Sequence, residues 1–332
     1  MAVSHSPKIV MLGGGTGTFT VLSSLKYYVQ DITAVVNMSD DGGSTGVLRD
    51  EFGVLPPGDI RQSLVALSSS PQQLRDLFNY RFPEGAFVGH SFGNLFLTVL
   101  DQTTGSFREA VRVAGEILAI TGQVVPVTTD NVRLHLRLPD GTVVEGESNI
   151  LESNFQTTTE PELFLSPHAQ LNPDAAKAIA AADIIIIGPG NVYSSLVPIL
   201  LVDGVPEALA AAKAKTVYVS NLVTKPGQTD GYQVHDFAET FNHFLGGSLI
   251  DYVIYNTAKP DPSVLRRYAQ VGELWVGYDQ QRLDTAPYVA IGAPLIARSK
   301  AKQSPNDHLV RRTLIRHDSD VLARIIMRIF FS

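Results

Sequence analysis

The apolar run Lys8–Leu12 stops at Gly13-Gly14-Gly15-Thr16-Gly17, and a second apolar run, Ile32–Asn37, follows a segment of helical spacing. Both runs read as buried strands. Between them Phe19, Val21, Leu22 and Leu25 fall close to one face of a helix over Thr18–Tyr28. Strand, glycine turn, helix, strand is a βαβ unit, and a crossover of that kind joins parallel strands. The sheet therefore begins parallel. The alternation returns later: helix Asp174–Ala182, strand Asp183–Ile187, helix Glu207–Ala214, strand Thr216–Ser220, helix Phe237–Leu245 and strand Tyr252–Tyr255. The expected architecture is a doubly wound α/β sheet of about six parallel strands with a small β insertion.

Between these halves Met38–Gly58 reads as one long loop-like stretch, a kind that is usually functional inside a compact domain. Helical patterns follow over Ile60–Leu67, Leu74–Tyr80, Leu95–Leu100 and Phe107–Leu118. Gln123–Val127, Val132–Leu138 and Thr142–Glu147 read as strands, the last two joined by the turn Asp140-Gly141. They are expected to form a β insertion or side sheet at about 123–165, with Asn149–Glu160 as its polar, Thr-rich connection. The whole chain, 1–332, reads as one α/β domain with no repeat or clear linker.

Composition removes several functions. With 26 Lys+Arg against 33 Asp+Glu the chain carries a net charge of −7, which disfavours general nucleic-acid binding. No cysteine is present, so disulfide frameworks, thiolate zinc sites and cysteine nucleophiles are excluded. Met1–Pro7 is polar and apolar runs such as Ile184–Ile187 are short, so neither a signal peptide nor stable membrane insertion is expected. A cytoplasmic protein is the expectation. From Arg298 to Ser332 eight Lys/Arg face three Asp, a basic C-terminal segment that suits an anionic ligand or partner, or a solvated helix face plus a loop.

Five constellations carry chemistry. Gly13, Gly14, Gly15, Thr16 and Gly17 lie between strand and helix, where glycines allow close backbone approach and a helix N-terminus favours a phosphate. A tight turn without a ligand would look the same. No Lys follows as in a P-loop, and Asn37 stands where a dinucleotide fold wants an acidic ribose ligand, which argues against NAD. Asp40-Asp41-Gly42-Gly43-Ser44 follows the second strand, where the two carboxylates would hold Mg²⁺, take a proton or receive hydroxyl hydrogen bonds; Asp-Gly is also a plain turn dipeptide.

Asp59 stands where a helix N-cap belongs, and Arg61, poorly placed for the helix dipole, is expected to bind an anion or carboxylate. Gly89-His90-Ser91-Phe92-Gly93-Asn94 opens an apolar helix, either as a ligand site through His90 and Asn94 or as a capped helix start. Gly188-Pro189-Gly190-Asn191-Val192-Tyr193-Ser194-Ser195 is a second glycine-rich turn, after the strongest strand, and Asn221 follows the next one. Two such turns suggest a ligand with a phosphate and another polar part.

Together these stretches resemble the CofD-like family and, within it, the bacterial gluconeogenesis-factor (YvcK-like) branch. The resemblance also rests on Leu55-Pro56-Pro57-Gly58-Asp59-Ile60-Arg61, Tyr80-Arg81-Phe82, Asp140-Gly141-Thr142-Val143-Val144 and Arg316-His317-Asp318, in order along the chain. It implies a Rossmann-like sheet with a nucleotide-type ligand across its carboxyl edge. The transferase branch of the family moves a phospholactyl group from a guanosine diphosphate-linked donor with Mg²⁺. The YvcK-like branch implies a cytoplasmic factor for cell shape and growth on gluconeogenic carbon sources whose members bind UDP-sugars such as UDP-N-acetylglucosamine. On that resemblance Gly13–Gly17 and Gly188–Ser194 would cradle a diphosphate, Asp40 and Asp41 would meet hydroxyls or a metal, and Arg316 would reach the anion. The expected partner is a nucleotide-type small molecule, and a homo-oligomer stays open.

Overall fold

The computed structural model describes residues 6–155, 162–297 and 315–332. It begins with β1 (Lys8–Gly13), α1 (Gly15–Leu25) and β2 (Asp31–Val36), the expected βαβ unit. Helices α2 (Gly43–Phe52), α3 (Pro57–Leu67), α4 (Gln72–Asn79), α5 (Phe92–Thr104) and α6 (Phe107–Ile117) lead to β3 (Gln123–Pro126). Then come β4 (Arg133–Arg137), β5 (Val143–Glu145), α7 (Glu147–Glu152) and β6 (Glu162–Ser166). Helix α8 (Pro173–Ala181) returns to β7 (Ile184–Ile187), followed by a π-helical turn, Val192–Leu196, and α9 (Val197–Leu200). The remainder is α10 (Val205–Ala211), β8 (Lys215–Val219), α11 (Val234–Phe244), β9 (Tyr252–Asn256), α12 (Pro262–Ala269), α13 (Gln280–Asp284), β10 (Val289–Ala293) and α14 (Ser319–Phe331).

The main sheet has seven strands in the order β10-β9-β8-β7-β1-β2-β3, and every pairing in it is parallel. Its centre is the most apolar part of the chain. All four isoleucines of β7 are buried, as are Ile9–Gly13 of β1, because both faces of a parallel sheet are covered by helices. From β1 the chain winds outward through β2 and β3, then restarts at β7 on the other side of β1 and winds the opposite way. The strand order therefore reverses between β1 and β7. In open α/β sheets the ligand crevice lies at that reversal, beyond the carboxyl ends of the strands.

Three expectations need correction. Gln123–Pro126 belongs to the main sheet, pairing parallel with β2 from Thr33↔Gln123 to Val36↔Pro126, so the separate antiparallel sheet is β5-β4-β6 alone. An apolar run has the same sequence signature in either sheet; only the long-range partner separates them. The loop-like stretch after β2 contains a ten-residue helix, α2, bounded by N-cap Gly42 and left-handed C-cap Gly53. The sheet gains a seventh strand, β10, paired with β9. Helix α7 takes the last residue of the expected strand Thr142–Glu147 and the first four of the expected connection Asn149–Glu160, of which 156–160 lie outside the described residues.

Candidate functional site

The two glycine turns meet at the reversal point. Leu12 pairs with Ile187, and the Gly188 N–H donates to the Leu12 carbonyl at 3.1 Å, so both strands end side by side. Helix α1 then starts so close to the second turn that a β-carbon on Gly17 would lie 1.7 Å from the Pro189 carbonyl oxygen. Asn221, just beyond β8, donates its side-chain amide to the Gly190 carbonyl at 2.7 Å and ties a third strand end to the same place. Gly13–Gly17, Gly188, Gly190 and Asn221 are thus brought together. Three buried polar atoms around these strand ends, Thr18 Oγ1, Asn37 Nδ2 and Ser194 Oγ, have no hydrogen-bond partner among the described residues.

Asn191 and Tyr193 of the second turn make protein contacts. Asn191 accepts the Ser195 and Leu196 N–H groups, the second bond being the longer π-type step. Tyr193 is buried, its hydroxyl 2.9 Å from that of Tyr232 and its ring edge-on to Phe155.

The adjacent carboxylates Asp40 and Asp41 are sent to different places. Asp41 accepts from the backbone N–H groups of Glu147 (3.1 Å) and Ser148 (2.9 Å), capping α7. Asp40 takes the Gly42 N–H at 2.9 Å and faces two further acids, Asp59 and Glu147. Asp59 is not the cap of α3; Pro56 holds that position, and Asp59 sits in the first turn. Its carboxylate reaches α1 instead, accepting the Gly15 N–H, and lies 2.0 Å from where a β-carbon on Gly14 would be. Burial, then the nearby charge of Asp40, pushes the Asp59 carboxyl up to about 7. The same causes, with Asp59 added, raise Glu147 well above the usual carboxylate range, opposed by a hydrogen bond from Ser195 Oγ at 3.2 Å.

Two arginines brace this edge. Arg49, 4% exposed, donates to the carbonyls of Asp40 (2.8 Å) and Val132 (2.7 Å) and to Asn131 Oδ1 (2.7 Å), linking the Asp40 loop to the small sheet. Arg61 is buried too, donating to Asn94 Oδ1 at 2.9 Å and Asn79 Oδ1 at 2.5 Å. Asn94 in turn donates to Ser44 Oγ at 3.2 Å, and Ser44 Oγ is 3.1 Å from His90 Nδ1. Four residues from three separated motifs therefore form one network, while Ser91 Oγ supplies the cap of α5.

The C-terminal segment docks beside the same edge. Arg316 accepts the Ala297 N–H at 2.8 Å, Asp318 N–H donates to Leu295 at 2.6 Å, and His317 Nε2 is 3.0 Å from the Ser220 carbonyl at the end of β8. Burial lowers His317 to about 4, so the ring is neutral and donates to that carbonyl. The basic residues at 298–314 lie outside the described residues.

Glu147 and Arg49 carry no signal in the sequence that marks them as site residues, and Ser195, part of the second glycine-rich turn, turns out to bond Glu147. Glu147 sat at the end of an expected strand, and nothing local marked it as facing Asp40. Each Asp41 oxygen accepts one backbone N–H, while Asp40 turns toward Asp59 and Glu147, so the two neighbouring carboxylates do not face one common point. Among the described residues no group of three or more His, Asp or Glu is arranged to hold a metal ion. No helix among the described residues is long and apolar enough to cross a membrane.

Comparison with known proteins decides the family. The family described as 2-phospho-L-lactate transferase CofD matches residues 9–296, most of the chain. This chain belongs to the CofD family. Within the CofD family it is similar to the gluconeogenesis factor of Bacillus subtilis, 38% identical over 98% of each chain. A relative from Thermotoga maritima is 42% identical over 97% of this chain and 99% of its own length. The crystal structure of a UPF0052 family member from Bacillus halodurans superposes with a TM-score of 0.88 at 33% identity, covering 98% of this chain and all of the other. The CofD-family fold is thus shared along nearly the whole length of these relatives.

Proposed function

We propose that this protein binds a UDP-sugar, UDP-N-acetylglucosamine or a close relative, and acts in the cytoplasm as a regulator of cell shape and growth on gluconeogenic carbon sources. The observation that carries the reading is the meeting of Gly13–Gly17 with Gly188–Gly190 at the strand-order reversal. The N-terminus of α1 supplies a positive dipole end there, and the glycines let a diphosphate approach the backbone. Asp40 would receive ribose or sugar hydroxyls, and Arg316 would neutralise the diphosphate. The name of the Bacillus subtilis relative, gluconeogenesis factor, supports the part of the reading that concerns growth on gluconeogenic carbon sources. Calorimetric titration of UDP-N-acetylglucosamine into wild type and Arg316→Ala tests it; tenfold or greater weakening is expected, and equal affinities would remove Arg316 from the site.

A second reading, transfer of a phosphorus-linked group from a nucleotide diphosphate-linked donor, draws on the family description and on the raised carboxylates Asp59 and Glu147. A group protonated near neutral pH can donate a proton to a leaving oxygen or receive one from an acceptor hydroxyl. Turnover is the discriminator: this reading requires release of free nucleotide, and Asp59→Asn must slow it.

A further inference from the structure

We infer that Arg61, Asn94 and Ser44 form a one-way hydrogen-bond chain that fixes His90 as an Nε2–H donor to an oxygen of the bound ligand. A guanidinium has donors and no acceptor. The atom of Asn94 that lies 2.9 Å from Arg61 Nε must therefore be its carbonyl oxygen, which fixes the amide orientation. The other end, Nδ2, is then a donor, and the Ser44 oxygen at 3.2 Å accepts from it. The Ser44 hydroxyl hydrogen has no other hydrogen-bond acceptor among the described residues, so we direct it at His90 Nδ1, 3.1 Å away. Nδ1 accepts, so the neutral ring carries its proton on Nε2.

Burial makes the direction binding. Arg61 is 7% exposed, Ser44 8% and Asn94 2%, so water cannot readily replace a link. His90 is only partly buried, and no hydrogen bond joins its Nε2, on the far side of the ring, to another described residue. A neutral His90 so held offers a proton and not a lone pair. It can donate to a phosphoryl or hydroxyl oxygen, and it cannot serve as a base through Nε2. The ligand half of this inference rests on the nucleotide-sugar reading; the chain itself does not.

Nitrogen-15 NMR of histidine-labelled protein, above the histidine titration range, separates the two. With eight histidines, a His90→Gln spectrum assigns the signals. In wild type Nδ1 should resonate as unprotonated and Nε2 as protonated. In Asn94→Asp the carboxylate accepts from both Arg61 and Ser44, the last two bonds reverse, and the His90 tautomer should invert. Ser44→Ala, which leaves the fold's charges alone, should release Nδ1 and move its signal toward the average of the two forms. A protonated Nδ1 in wild type, or a tautomer indifferent to both substitutions, overturns the chain. Adding UDP-N-acetylglucosamine should shift the Nε2–H signal; heat of binding with that signal unmoved overturns the donor role. Absence of any heat contradicts the nucleotide-sugar reading, while the ligand-free spectra still decide the chain.

Discussion

Gly17, in the first turn of α1, lies against Pro189 so closely that the smallest side chain would place its β-carbon 1.7 Å from the Pro189 carbonyl oxygen. The contact joins two turns that are more than 160 residues apart in sequence, by the numbering, and that leave neighbouring strands. Because the obstacle is backbone, neither side can yield by changing a rotamer. The approach of the turns is thus built into the fold and does not wait for a ligand.

Gly17→Ala is expected to cost about 1–3 kcal/mol, the typical range for forced overpacking, and toward its upper end because the obstacle is backbone. Urea unfolding measures it. Gly247→Ala is the control, since its added β-carbon would meet nothing within 4 Å and its backbone is not left-handed. Equal midpoints for the two variants would mean that α1 slides freely past the second turn.

Arg49→Met should be costly for a different reason. It strands the Asp40 and Val132 carbonyls and Asn131, which Arg49 now satisfies inside the protein. Leaving several buried acceptors unmet costs on the order of 3 kcal/mol. Because one of them belongs to Asp40, UDP-sugar affinity should fall as well. Loss of stability with affinity intact would show that the Asp40 loop holds its shape unaided.

The pH dependence of stability contains two opposed effects. Asp59 is raised from 3.8 to about 7 in the folded state, so the fold binds the extra proton and stability falls as pH rises through that window. Glu147, raised by the same causes, adds to it. His317 is lowered from 6.5 to about 4, so its contribution is present above 6.5 and lost as pH falls toward 4. Each group changes stability by at most about 1.4 kcal/mol per pH unit. Asp59→Asn should therefore move the pH of maximum stability upward, and His317→Asn should move it downward. Urea midpoints from pH 4 to pH 8, on the order of one point per half unit, check both signs; a maximum that stays put in both variants contradicts them.

The sequence made the βαβ start, the isoleucine strand and both glycine turns legible because those signals are local: apolar runs and the glycines that end them. The destinations of side chains were not local. Asp40 and Asp41 are neighbours in sequence, yet one faces Asp59 and Glu147 while the other caps α7. Asp59 had the spacing of a cap, and its carboxylate serves a different helix, at Gly15. Gln123–Pro126 reads from sequence as part of the small sheet because edge and insertion strands share one pattern, and only its pairing with β2 places it in the main sheet. The Ser44, His90, Asn94 and Arg61 motifs were each visible, and only the fold shows that they are one network.

The most direct test of the account is calorimetric titration of the purified protein with UDP-N-acetylglucosamine, followed by analysis of the recovered nucleotide after overnight incubation. Saturable binding at one site per chain, weakened by Arg316→Ala, with the nucleotide sugar recovered intact, is the predicted result. No binding, or conversion of the ligand to free nucleotide, would contradict it.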